Sequence, residues 1–195
     1  MGERLAGGNV AIALLANAIA TGAALAALIL TFGPISGAHF NPAVSVVSAS
    51  NGDLSRHELA WYIAAQLAGA FAGVACANVM FGEPVFAWSQ HIRAGVPQAF
   101  SEVVATFGLL GVIASCARYR SDAAPFAVGA YITGAYWFTS STSFANPAVT
   151  LARMATNTFA GIRPQDAPPF LIAQVMGAAV AALTFRWVLQ TENRS

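Results

Sequence analysis

Asn41-Pro42-Ala43 and Asn146-Pro147-Ala148 are one tripeptide written twice, 105 residues apart. Asparagine is a preferred helix N-cap and proline is favoured at the first helical position, so each copy predicts a helix start. An asparagine amide oxygen that caps its own helix leaves an NH2 to donate to a passing hydroxyl or water. No nucleophile–base pair and no ligand-spaced group of His, Cys or carboxylates accompanies either copy. The chemistry on offer is recognition of small polar molecules, and an intramembrane enzyme is set aside.

The surrounding residues repeat as well. Ser36–Ser45 matches Ser141–Thr150 at five of ten positions, and Ala65-Gln66-Leu67-Ala68-Gly69-Ala70 returns 108 residues later as Ala173-Gln174-Val175-Met176-Gly177-Ala178. The chain therefore reads as a single channel domain, 1–195, built by internal duplication, with an incomplete first repeat over 1–81 and a second over 98–190.

Of the 195 residues 57% are hydrophobic and 9% charged, with no lysine, which places the chain among membrane proteins. Five apolar stretches have the makings of spans. They cover about Asn9–Phe32, Glu58–Phe81, Arg93–Arg118, Ala123 to the hydroxyl run Thr139–Ser143, and Ala167–Phe185. The first is too long for a signal-peptide core, so it reads as a retained span. The segments after the two tripeptides, about Pro42–Ser50 and Pro147–Thr156, are different: ten or so residues at 1.5 Å each reach roughly 15 Å, half the hydrocarbon core. They are expected to be re-entrant half-helices, and non-helical backbone at that depth is tolerated only inside protein or beside a water-filled cavity. If the duplication is inverted, the two N-termini meet at mid-membrane, where their partial positive charges oppose cations and protons but not neutral molecules.

A net charge of +1 excludes a basic field for nucleic acid. Cys76 and Cys116 fall inside spans and read as packing, His57 and His91 as span-end residues, and Trp61, Trp88, Trp137 and Trp187 as interfacial or packing aromatics; neither a metal nor a cofactor is expected. Arginines divide between alternate span ends, Arg56, Arg118, Arg120, Arg186 and Arg194 against Arg4, Arg93, Arg153 and Arg163, and the larger set marks the cytoplasmic side. Glu102 lies inside the third span, and a lone carboxylate there is expected to accept N–H groups of the loop around Asn146 rather than relay protons. His39, two residues before the first motif, either lines the vestibule or bonds loop carbonyls.

The paired motifs, the frame Ser36–Ser45, the run Ala99-Phe100-Ser101-Glu102 with Thr106-Phe107, and Gln174 with Gly177 resemble the major intrinsic protein family of aquaporins and aquaglyceroporins, from about Gly8 to Leu189. The resemblance implies an all-α inverted repeat in the cell (inner) membrane, passive flow of water or small uncharged solutes past Asn41 and Asn146, and a homotetramer. Two departures stand out. The family has six spans and this chain five: Glu102 precedes Asn146 by 44 residues, and the same step back from Asn41 falls ahead of Met1. The first family helix is absent, either because the chain begins at an internal methionine or because one wall of the bundle is lacking.

The second departure is Val149, at the position after the second motif where family members usually carry the arginine of a four-residue filter. The resemblance places Thr21, Ser143 and Gly134 at the other three positions, with Thr133 and Tyr136 as rivals for the last. Thr21, Gly134, Ser143 and Val149 would form a wide, uncharged opening. Val in this frame resembles a bacterial branch associated with arsenic resistance, which implies arsenous acid or methylated arsenicals as solutes beside glycerol-like polyols and water. Arg153, one turn beyond Val149, is expected to be an external charge.

Overall fold

A computed structural model describes residues 1–191. Among the described residues there are eight α-helices in order: α1 (Gly2–Leu5), α2 (Val10–Ser36), α3 (Pro42–Asn51), α4 (Arg56–Met80), α5 (Val96–Tyr119), α6 (Ala124–Phe138), α7 (Pro147–Arg153) and α8 (Ala167–Thr191). Local sequence explains the boundaries. The Asn9 side chain accepts from the Ala11 and Ile12 amides to start α2, and Gly37, at φ 69°, ends it in the left-handed conformation that glycine adopts without strain. Ser55 and Glu58 form a capping box at the start of α4.

Four helices, α2, α4, α5 and α8, are long and apolar enough to cross a membrane. The fourth expected span, α6, has only 15 helical residues, about 22 Å, because Pro125 fixes its start and the chain turns extended at Thr139. With the two half-helices this is an all-α membrane protein of the expected kind. The first half-helix, α3, has ten residues as expected, whereas α7 has seven. Beyond Arg153 the backbone tightens into short-range bonds, Met154 to Leu151 and Ala155 to Ala152. The carbonyls of Met154 and Ala155 then accept the amides of Ser89 and Ala87 from the loop between α4 and α5.

The most extensive helix pairings are α5 with α8 and α2 with α6. The second pair crosses closely at two glycines: a Cβ on Gly22 would lie 2.6 Å from the Gly129 carbonyl oxygen and collide with the Thr133 hydroxyl, and one on Gly129 would lie 2.6 Å from the Gly22 oxygen. Small residues let backbones touch where lipid offers no hydrophobic drive for association. Each half-helix packs on the long helix that follows it and on its counterpart in the other repeat: α3 on α4 and α8, α7 on α8 and α4. They run in opposite directions from the centre. Arg186 donates to the Ser50 carbonyl near the far end of α3, while in the loop beyond α7 the Gly161 carbonyl accepts from Arg93 and the Arg163 amide donates to the His91 carbonyl. These are called below the Arg186 end and the Arg93 end; Arg194 lies outside the described residues. The four tryptophans are exposed.

Candidate functional site

The two asparagines meet. Each is extended at its own backbone, φ −145° for Asn41 and −155° for Asn146, and each turns its amide oxygen onto the helix it begins. Asn41 Oδ1 accepts the Ala43 amide at 3.0 Å; Asn146 Oδ1 accepts those of Ala148 and Val149 at 3.0 and 3.3 Å. The expectation of wholly free NH2 groups needs correction. Asn41 Nδ2 donates to the Ala145 carbonyl at 2.7 Å and Asn146 Nδ2 to the Phe40 carbonyl at 2.9 Å, so each motif braces the loop of the other. An amide nitrogen has two hydrogens, and one on each remains for the lumen.

That lumen is a cavity of about 610 Å³ bordered by both asparagines and by His39, Thr21, Ser143, Val149, Tyr136 and Arg153. Pro42, Ala43 and Ala148 are buried and Pro147 half-buried; these four start the half-helices and are not among the residues that line it. His39 borders the cavity, and its Nδ1 lies 3.2 Å from the Ser45 hydroxyl rather than on a loop carbonyl.

Of the four expected filter residues, Thr21, Ser143 and Val149 border the cavity and Gly134 does not. A side chain at 134 would instead face Phe138. Tyr136 borders the cavity instead: two residues further along, about 200° around the helix, it is buried and its hydroxyl lies 3.3 Å from that of Thr21. Thr133 is spent on the crossing with α2, bonding the Gly129 and Ala18 carbonyls. Arg153 is likewise corrected. It curls back into the cavity wall, donating from Nη2 to the Tyr136 hydroxyl at 3.1 Å, with its guanidinium carbon 4.4 Å from the centre of the Phe144 ring.

The loop ahead of Asn146 is strained, with positive φ at Thr142 (62°), Ser143 (49°) and Ala145 (45°). Such conformations cost about 1–3 kcal/mol each and persist only where surroundings enforce them. Two buried charges do so. Glu102, fully buried, accepts the Phe144 amide at 2.8 Å and the Ala145 amide at 2.7 Å, and also takes Gln174 Nε2 at 2.6 Å, which is the clamp expected of it. Arg93, unnoticed in the sequence beyond marking a span end, is 6% exposed and donates to the carbonyls of Gly161, Ser141 and Phe159 and to the Thr142 hydroxyl. Burial, and after it the nearby Arg153 charge, push its pKa down to about 10, which leaves it cationic at neutral pH. Nothing in the sequence marks it off from other loop arginines. Among the described residues no cluster of three or more potential metal ligands occurs.

The chain matches the family profile described as Major intrinsic protein over residues 3–139 and 123–195. It is 56% identical to aquaglyceroporin AqpS of Rhizobium meliloti (strain 1021), over 92% of this chain and 77% of that protein. It is 35% identical to aquaporin NIP1-1 of Zea mays, over 59% of this chain and 43% of the relative, and 35% identical to aquaporin-8 of Rattus norvegicus, over 60% and 48%. It thus spans about three quarters of the first and about half of the other two.

Proposed function

Since the chain belongs to the major intrinsic protein family, whose members are membrane channels and not enzymes, we propose that it passes arsenous acid or methylated arsenicals, glycerol-like polyols and water through the cavity between its half-helices. One observation carries this reading: Asn41, Asn146 and Val149 border a single cavity. Asn41, Pro42, Ala43, Asn146, Pro147 and Ala148 are assigned to the midplane constriction, where two half-helix N-termini disfavour cations. Thr21, Ser143 and Val149, with Tyr136 replacing Gly134, are assigned to the outer constriction, Glu102 to support of the second loop and His39 to the vestibule. Ser143 borders the cavity, and its Oγ is buried without a protein partner. The name of the aquaglyceroporin relative carries a solute class, whereas arsenicals rest on the residue at 149 alone.

Residues 1–81 and 98–190 are assigned to two repeats, and four such subunits to a homotetramer in the inner membrane. A second reading, an assembly partner of complete channel subunits that does not itself conduct, is favoured by the open flank of α4, whose only buried residue is Asn78. Stopped-flow light scattering on proteoliposomes separates the two. Glycerol and arsenous acid fluxes well above those of empty vesicles support the channel; no flux from the chain alone, restored by complete relatives in the same vesicles, supports the partner. Val149→Arg is expected to depress glycerol and arsenous acid fluxes more than water flux, and equal loss of all three removes Val149 from the filter.

A further inference from the structure

The outer constriction lacks an arginine at 149, yet a guanidinium stands in its wall. Arg153 ends α7, where a basic side chain ordinarily turns to the last carbonyls of its own helix or to an acidic neighbour. It does neither. Among the described residues its guanidinium donates to the Tyr136 hydroxyl on α6 and lies over the Phe144 ring, and the ion pairs join Arg4 to Glu83, Arg120 to Asp122 and Arg163 to Asp166. The nearby carboxylate, Glu102, is committed to two loop amides and Gln174. The nearest other cation, Arg93, holds loop oxygens and adds to the positive field. Among the described residues no partner neutralises the charge of Arg153, and a guanidinium has five N–H donors of which Tyr136 takes one. Ser143 borders the same cavity, with its Oγ buried and without a protein partner.

The geometry points to Arg153 as the charged member of the outer constriction, supplied from one helical turn beyond Val149 and held against the wall by Tyr136 and Phe144. Held aside in this way, it repels cations and donates to the oxygens of hydroxylated solutes without filling the opening that Val149 leaves wide. Four residues of α7 separate the two positions by about 6 Å along the helix, a distance the long arginine side chain recovers by folding back. Tyr136 sets that fold: its hydroxyl is tied to Thr21 on α2, so the guanidinium is anchored to two helices of the wall.

The inference rests on the channel reading above, and the test separates them. Urea and guanidinium are planar and closely matched in size, and differ in charge; their fluxes are measured in proteoliposomes of the wild type, Arg153→Gln, Arg153→Lys and Tyr136→Phe. A unit charge at this range in a partly hydrated lumen is worth about tenfold in cation entry. Arg153→Gln is expected to raise the guanidinium-to-urea permeability ratio by about that factor. Arg153→Lys is expected to keep the ratio near that of the wild type. Tyr136→Phe, with the charge kept but its anchor lost, is expected to leave cation rejection in place and to lower urea flux. A purely structural role for Arg153 would lower both fluxes together and leave the ratio unmoved, which overturns the inference while the channel stands. Absence of wild-type urea and glycerol flux overturns both.

Discussion

The two re-entrant loops share a plan and differ in what holds them. In each, the asparagine caps its half-helix, the hydroxyl four residues on (Ser45 or Thr150) bonds the asparagine carbonyl, and a glutamine from the following long helix (Gln66 or Gln174) donates to that hydroxyl. The duplication survives in these side chains. Beyond them the loops part. The second is gripped from inside by the Glu102 carboxylate and from the Arg93 end by a buried guanidinium, whereas the first is held by neutral groups, Gln66 Nε2 on the His39 carbonyl at 2.7 Å and the Tyr62 hydroxyl on the Ser36 carbonyl at 2.8 Å. Hydrogen bonds to charged groups contribute about 1.5–3 kcal/mol and neutral ones about 0.5–1.5. The difference matches the load, since three residues of the second loop, against Ala38 (φ 52°) in the first, hold positive φ outside glycine.

The contrast can be broken most sharply at Glu102. Glu102→Ala strands two buried loop amides and the Gln174 side chain, and a cost of about 3–5 kcal/mol is expected. The measurement is the thermal unfolding midpoint of detergent-purified protein, and a midpoint within a degree or two of wild type would show that the carboxylate is not what holds the loop. Arg93→Met keeps bulk but removes the grip on four oxygens; about 2–4 kcal/mol is expected, with the loss of glycerol flux exceeding that of any change in the first loop. The smallest effect sharpens the comparison. Gln174→Leu is expected to cost about 1–2 kcal/mol more than Gln66→Leu, because it takes a donor from a buried carboxylate and not from a carbonyl; equal costs would mean that the loops are held alike.

Much of this was legible in the sequence because it depends on local rules or on repetition. Caps and prolines give the half-helix starts, apolar runs give the long spans, and the repeated frames bring Asn41 to Asn146 and pair Gln66 with Gln174. Glu102 was readable as a clamp because a lone carboxylate in a span must find donors. What stayed hidden depends on side-chain direction in three dimensions. Gly134 and Tyr136 sit two residues apart on one helix, and only the angle at which α6 meets α2 decides which of them looks into the cavity. Arg153 is long enough to point either way, and a count along α7 assigns it to the exterior. Arg93 lies in a loop with no periodicity, where burial is decided by backbone carbonyls from segments some fifty to seventy residues distant.

The crossed amides at the centre have a mechanical consequence. Because Asn41 is tied to the strand leading into Asn146, and Asn146 to the strand leading into Asn41, neither half of the throat can retreat without dragging the other. The middle of the conduit is thereby a fixed orifice and not a shutter. Any valve that throttles this protein has to sit at the mouths, away from the two asparagines.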